Sequence, residues 1–453
     1  MKRETLGSRI GFILLSAGCA IGVGNVWKFP YVTGQNGGAV FVLIYLACLV
    51  LLGLPVMTVE FAMGRGSQKS PVQMYCPLEP KGSKWHIHGY VAMVGSVILM
   101  MCYCTIAGWI LQYFVDTARG VFVGMDEAAI GEAFGAVTVN TPVAAGYTLT
   151  VVALATVVCS FSLQGGLERI TKYMMTALLA IMLVLAVFSC TRPGASEGVA
   201  FYLKPNWQAF LENGPVKVIS SAMNQAFFTL SLGMGAMAIF GSYLNKERAL
   251  LGEAVNVVLL DTFVALTAGL IVIPACFAYG VEPGSGPSLI FVTLPNIFNN
   301  LPGGRFWGSL FFVFMSFAAL STVFAVFENI VACLRDLTGW ARRKTSLITG
   351  AALAVLTMPC VLGFSVWSDV KLLGLSIMDF EDFAVNNVLL PLGSLIFLVF
   401  CTCRYGWGWK NFVEEANSGT GLKVQSWMRF YMTWILPVII ALIFALGMYQ
   451  FFR

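Results

Sequence analysis

Apolar residues run in long stretches from one end of the chain to the other, with short polar segments between them. Eleven stretches are long enough to cross a bilayer as helices: about 10–33, 38–64, 87–118, 143–162, 173–191, 217–240, 252–279, 306–334, 346–364, 383–403 and 428–452. A helical crossing needs roughly 20 apolar residues. The pattern predicts an all-α polytopic membrane protein.

Two of the stretches are interrupted. The first carries Ala20-Ile21-Gly22-Val23-Gly24-Asn25 at mid-membrane, followed by Lys28 and Pro30. The sixth carries Thr229-Leu230-Ser231-Leu232-Gly233-Met234-Gly235 at its middle. Glycine disfavours continuous helix, and a polar Asn or Ser at that depth needs a partner. Broken backbone survives inside a membrane only where it lines a cavity or is buried in protein. The breaks lie five stretches apart, at matching places in helices 1–5 and 6–10. Five is odd, so the two halves are expected to insert with opposite topology. Paired interruptions in inverted halves point to the substrate site of a transporter. Close helix packing would explain a lone Gly-x-Gly; two matched breaks flanked by hydroxyl and amide side chains favour the site.

Composition narrows the class further. Of 453 residues, 58% are hydrophobic and 11% charged, and the mean hydropathy is +0.81. Soluble domains carry roughly 25% charged residues, so an ordinary soluble enzyme and a disordered scaffold are both excluded. The net charge of +5 concerns orientation and anionic headgroups rather than nucleic acid. With the N-terminus inside, 19 of the 27 basic residues fall on inner segments and 7 on outer ones, with Lys28 at membrane depth. That split follows the positive-inside rule, and an odd number of crossings leaves the C-terminus outside. No cleaved signal peptide is expected, because no small-residue cleavage site ends a short apolar core. Most of the 12 cysteines sit inside apolar runs, where Cys acts as a small hydrophobe. Neither the Cys102/Cys104 and Cys401/Cys403 pairs nor His86 and His88 has metal-ligand spacing. No nucleophile–base pair supports an enzyme.

The strings Gly18-Cys19-Ala20-Ile21-Gly22-Val23-Gly24-Asn25-Val26-Trp27-Lys28-Phe29-Pro30-Tyr31, Asn36-Gly37-Gly38-Ala39, Glu60-Phe61-Ala62-Met63-Gly64-Arg65, Gln225 to Gly233 and Phe317 to Thr322 resemble the neurotransmitter:sodium symporter family, its bacterial amino-acid transporters in particular. The likeness covers nearly the whole chain. It implies a single transporter domain over 1–453, with inverted repeats at about 10–191 and 217–403, helix 11 at about 428–452, and helices 1 and 6 unwound at mid-membrane. It also implies a multi-pass protein of the bacterial inner membrane, whose partners are an amino-acid substrate, sodium and the lipid bilayer. A monomer or weak dimer is expected.

Site residues carry over one by one. The resemblance implies one sodium site at Ala20, Asn25, Thr229 and Asp261, completed by the substrate carboxylate, and another at Gly18, Ile21, Ala318, Ser321 and Thr322. Chloride-dependent relatives have Asn where Asp261 stands, and Ala265 occupies the chloride-binding serine's place, so chloride-independent transport is expected. A mid-membrane carboxylate is a functional hypothesis by default. Monoamine carriers have Asp at the position of Gly22; glycine leaves no anion there, so the substrate should bring its own carboxylate. That carboxylate would meet the free N–H groups near Val23 and Gly24 and the Tyr103 hydroxyl. The substrate ammonium would face Ala20, Phe228, Thr229 and Ser231. Leu99, Tyr103, Phe228, Met234, Val323 and Val326 are expected to line an apolar side-chain pocket. The family's bacterial leucine carrier has a stiffer Phe at the position of Met234, so tolerance for large hydrophobic and aromatic amino acids is expected.

Gates follow the same likeness: Lys28 with Asp382 outside (Asp379 being the alternative register), and Arg3 with Asp336 inside, near Tyr243 and Glu328. Two departures stand out. Leu6 replaces the family's inner tryptophan, and Thr176 stands ten residues after Gly166, where relatives have proline. The expected function is sodium-coupled symport of hydrophobic or aromatic L-amino acids by alternating access. The alternatives are a proton-coupled or exchange-type carrier of the same fold, because Asp261 can titrate, and a non-transporting amino-acid sensor.

Overall fold

A computed structural model describes residues 4–281, 283 and 288–452. Nine uninterrupted helices among them are long and apolar enough to cross a membrane: Ala39–Ser67, His86–Arg119, Thr141–Ser160, Leu163–Cys190, Leu250–Ala278, Gly304–Thr338, Arg342–Leu362, Ile377–Thr402 and Met428–Tyr449. A tenth, Arg9–Ala20 with Gly24–Gln35, bends by 57° at its break. The sixth crossing is split into Pro215–Thr229 and Ala236–Gly241. Numbered in chain order these are spans 1 to 11. The fold is all-α, as the apolar pattern predicts.

Several boundaries are legible as capping chemistry. Ser8 accepts the Gly11 N–H at the start of span 1, and Asn140 with Pro142 opens span 4, both ordinary N-terminal signals. Gly120 and Gly339 take the left-handed conformation that ends spans 3 and 8, which glycine adopts without steric penalty. Span 5 begins near Leu163, about ten residues before the expected start. Gly165 and Gly166 sit in its first, π-helical turn (Leu163–Glu168), where glycines and charges lower the apolar signal. Thr176 continues that helix and donates its hydroxyl to the Lys172 carbonyl at 2.8 Å.

Spans 1, 3, 6, 7 and 8 make the buried centre. Leu43, Val50, Val184, Val187, Leu259 and Leu442 are exposed around the outside. In water that surface would be a liability; against hydrocarbon it is the stable one. Arg65, fully buried at the end of span 2, latches the segment after span 10. Its guanidinium reaches Glu415 at 2.7 Å, the Arg248 carbonyl at 2.6 Å and the Ser418 hydroxyl at 2.7 Å. Loss of one partner from such a buried network strands the rest.

Candidate functional site

The break in span 1 leaves backbone groups that helix would have paired, and side chains from three other spans meet them. Ser321 in span 8 donates to the Ala318 carbonyl one turn back at 2.9 Å and also faces the Ile21 carbonyl at 3.2 Å. Its neighbour Thr322 lies 3.3, 3.3 and 3.4 Å from the carbonyls of Gly18, Cys19 and Ile21. Five residues far apart in sequence (Gly18, Ile21, Ala318, Ser321 and Thr322) thus converge as a knot of oxygens. Such hard donors suit an alkali or alkaline-earth cation rather than a soft metal.

A second knot lies on the other side of the break. The Asn25 amide donates to Asp261 Oδ1 at 2.8 Å and to the Asp261 carbonyl at 3.3 Å. Thr229 Oγ1 sits 3.4 and 3.3 Å from the two carboxylate oxygens. The Gly22 N–H points at Asn25 Oδ1, 3.3 Å away. Asn25 and Asp261 are wholly buried and Thr229 nearly so. A carboxylate in that setting needs a proton or a cation.

Between the knots is a small cavity of about 20 Å³, lined by Cys19, Ala20, Gly22, Gly24, Leu99, Tyr103, Phe228, Ser231, Met234, Thr322, Val385 and Leu390. Tyr103 Oη accepts the Val23 N–H at 2.8 Å, so hydroxyl and break meet where a carboxylate was expected. A Cβ at Gly22 would lie 2.4 Å from Tyr103 Oη and 2.5 Å from Thr322 Oγ1, so a side chain there would have to displace one or both hydroxyls. Ser231, at φ 51°, donates to the Cys19 carbonyl at 3.2 Å and ties the two breaks together.

Eight of the twelve expected substrate residues line this cavity. Val23 and Thr229 stand just behind it through the bonds above. Val323 and Val326 are buried in the core but do not line the cavity. In their place are Val385 and Leu390 from the π-helical stretch Ala384–Leu389 and the turn after it. Nothing in the apolar run of span 10 marks those two positions, and π-helical backbone lies between them.

The outer pair differs from expectation. Lys28 is not paired with Asp382; its ammonium lies 4.1 Å above the centre of the Phe228 ring, a cation–π contact. Asp382 accepts from the Asn386 amide at 2.6 Å. Asp379, the other register, is held by Ser376, which caps that helix by accepting the Asp379 N–H at 3.2 Å and donates its hydroxyl to the Asp379 carboxylate at 2.6 Å. At the N-terminal end, Arg3 lies outside the described residues. Asp336 accepts the Ser70 N–H at 2.7 Å. Ion pairs there among the described residues include Arg335–Glu4 at 2.7 Å, Arg342–Glu4 at 3.5 Å and Arg342–Glu328 at 2.5 Å, with the Tyr243 hydroxyl 2.7 Å from Glu328. Burial pushes the Glu4 carboxyl up, but Arg342, the Leu163 N–H and Arg335 outweigh it and hold it below the ordinary 4.5. Leu6 packs against the core. A polar cavity of about 490 Å³ opens beside this cluster, lined by Glu4, Thr5, Lys69, Arg335 and Asp336 among others.

Two broken helices that meet around oxygen knots and a small central cavity are the architecture of a membrane transporter. Residues 3–122 and 138–453 match the sequence profile of the sodium:neurotransmitter symporter family, and the chain belongs to that family. It is 36% identical over 438 residues, 96% of each chain, to the uncharacterized sodium-dependent transporter YhdH of Bacillus subtilis. It is 31% identical over 455 residues, 98% of each chain, to an uncharacterized sodium-dependent transporter of Haemophilus influenzae. The solved structure of MhsT in complex with L-phenylalanine superposes with a TM-score of 0.87 at 36% identity, covering 98% of this chain and 99% of that one. The chain is accordingly a sodium-dependent transporter and not an enzyme.

Proposed function

We propose that the protein imports hydrophobic and aromatic L-amino acids with sodium, without need of chloride, by alternating access. The carrying observation is Gly22, where a Cβ would overlap both Tyr103 and Thr322. Glycine puts no anion at that position to pair with an amine, so the substrate supplies the carboxylate, which suits an amino acid.

In this reading the knot of Asn25, Thr229 and Asp261, with Ala20, takes one sodium, and the substrate carboxylate completes its shell. The knot of Gly18, Ile21, Ala318, Ser321 and Thr322 takes another. Asp261 provides inside the membrane the negative charge that chloride would otherwise bring. The apolar lining around Leu99, Phe228 and Met234 excludes charged side chains, which would lose hydration without compensation. That MhsT was solved with L-phenylalanine supports the substrate class. The positive-inside split supports a cytoplasmic N-terminus, with Glu4, Glu328, Arg335 and Arg342 at the inner gate and Lys28 with Phe228 at the outer one. The chain is read as one domain of two inverted repeats, about 10–191 and 217–403, followed by helix 11.

Uptake of labelled tryptophan and leucine into proteoliposomes tests this, with inward sodium or matched potassium and with chloride replaced by gluconate. Accumulation that needs sodium and ignores gluconate is expected. Uptake driven by a proton gradient without sodium would overturn the coupling, and sodium-dependent binding without accumulation would indicate a sensor.

A further inference from the structure

Three acids stand on the short helix that opens span 10, Ile377–Phe383. Asp379 and Asp382 are exposed, and they accept hydrogen bonds from Ser376 and Asn386. Glu381 between them is 4% exposed, and among the described residues neither of its carboxyl oxygens has a hydrogen-bond partner. The helix packs against span 3 and against Met358–Leu362 at the end of span 9. From span 9 the Cys360 thiol faces the carboxyl; from span 3 come Cys102 and Cys104, with Thr105 beside Cys360. All four are buried, and the Thr105 hydroxyl is committed to the Met101 carbonyl at 3.3 Å. No lysine or arginine among the described residues pairs with Glu381. A thiol is a weak donor, and sodium would want several more oxygens. A proton is what remains to neutralise this carboxyl.

Its place ties that proton to the transport cycle. Four residues further along span 10, Val385 lines the central cavity, and so do Leu99 and Tyr103, which flank Cys102 on span 3. We propose that Glu381 is a proton-binding site that favours closure of the outer half. The carboxyl holds its proton while spans 3, 9 and 10 are packed together. When they part to admit sodium and substrate, water reaches it, the O–H proton passes to the external solution and a hydrated carboxylate is left. This rests on the alternating-access reading and the orientation proposed above. The closed arrangement binds the proton, so external acid favours closure and external alkali favours opening, by at most about tenfold per pH unit for a single proton.

Hydrogen–deuterium exchange of the full-length protein in nanodiscs tests this without substrate, read by mass spectrometry on peptides that cover 358–362 and 377–383. Glu381→Gln keeps the site neutral at every pH, and Glu381→Met does the same if the first variant folds poorly. Dividing the wild-type exchange rate by the variant's at each pH cancels the intrinsic pH dependence of exchange and the titration of Asp261, Asp379 and Asp382. Above about pH 4.3, the ordinary glutamate value, that ratio is expected to rise by as much as about tenfold per pH unit, because exchange reports the opening equilibrium. A ratio that stays flat with pH would overturn the inference. So would a ratio that follows sodium at fixed pH, which would make the carboxyl a cation site. Failure of the transport reading shows separately, as no accumulation of amino acid by the unmodified protein.

Discussion

Span 1 loses its helix between Ala20 and Gly24 with no residue at positive φ, whereas span 6 loses its helix between Thr229 and Ala236 with Ser231, Gly233 and Gly235 at φ 51°, 98° and 72°. The first break is pinned by polar contacts from Asn25, Tyr103, Ser321 and Thr322. The second is shaped by glycines and held by the Gly233 N–H donating to Glu60 at 2.6 Å and the Ser231 hydroxyl donating to the Cys19 carbonyl at 3.2 Å. Span 1 therefore presents carbonyl oxygens at fixed places. Span 6 instead presents three residues in a backbone conformation that side chains rarely adopt. In the proposed function the first break serves the ion and the second the substrate.

If span 1 is the rigid partner, an added methyl at its centre should be intolerable. Gly22→Ala places a carbon 2.4 Å from Tyr103 Oη and is expected to lower sodium-driven uptake roughly a hundredfold, the scale of a displaced binding geometry. Protein folding, read by thermal unfolding in detergent, should change far less than uptake. Gly233→Ala reverses that order. At φ 98° and 2.2 Å from the Leu390 carbonyl, the methyl adds about 1–3 kcal/mol of backbone strain alone, so a lower melting temperature and poor expression are expected first.

Thr322→Val probes the oxygens rather than the backbone. Removing the hydroxyl that faces three carbonyls should raise the half-saturating sodium concentration about tenfold, the equivalent of roughly 1.4 kcal/mol. Affinity for the amino acid at saturating sodium should move less. A comparable loss in tryptophan affinity at saturating sodium would blur the division between ion-binding and substrate-binding breaks.

The smallest effect belongs to the N-terminal end. Because Glu4 is held below 4.5, its pairing stabilises that end above the ordinary carboxylate range and is lost as pH falls through the lowered value. The rate of collision between a spin label on a Thr5→Cys reporter in the polar cavity and a soluble paramagnetic relaxant should quicken below about pH 4.5. Glu4→Gln should give at neutral pH about a twofold rise in that rate, in keeping with a half-exposed pair.

Much of this is written in the chain. The apolar runs place all eleven crossings, and the two glycine-rich interruptions mark both breaks. The residues Asn25, Thr229, Asp261, Ser321 and Thr322 stand out because each is polar at a depth where polarity needs a reason. What escapes the sequence has a common cause. Val385 and Leu390 reach the cavity through a π-helical turn that an apolar run does not announce. The Lys28 ammonium chooses the Phe228 face over Asp382, a choice between two acceptable partners decided by tertiary geometry. Span 5 starts early because glycines and charges hide its first turns.

The central claim is that the substrate carboxylate completes the ion-binding knot at Asn25, Thr229 and Asp261. Equilibrium binding of labelled L-tryptophan and of tryptamine, which lacks only the carboxylate, tests it most directly when both are measured in sodium and in matched potassium. Sodium should strengthen tryptophan binding sharply, and tryptamine should bind weakly and with no response to sodium. Sodium-stimulated tryptamine binding as tight as that of tryptophan would contradict the account.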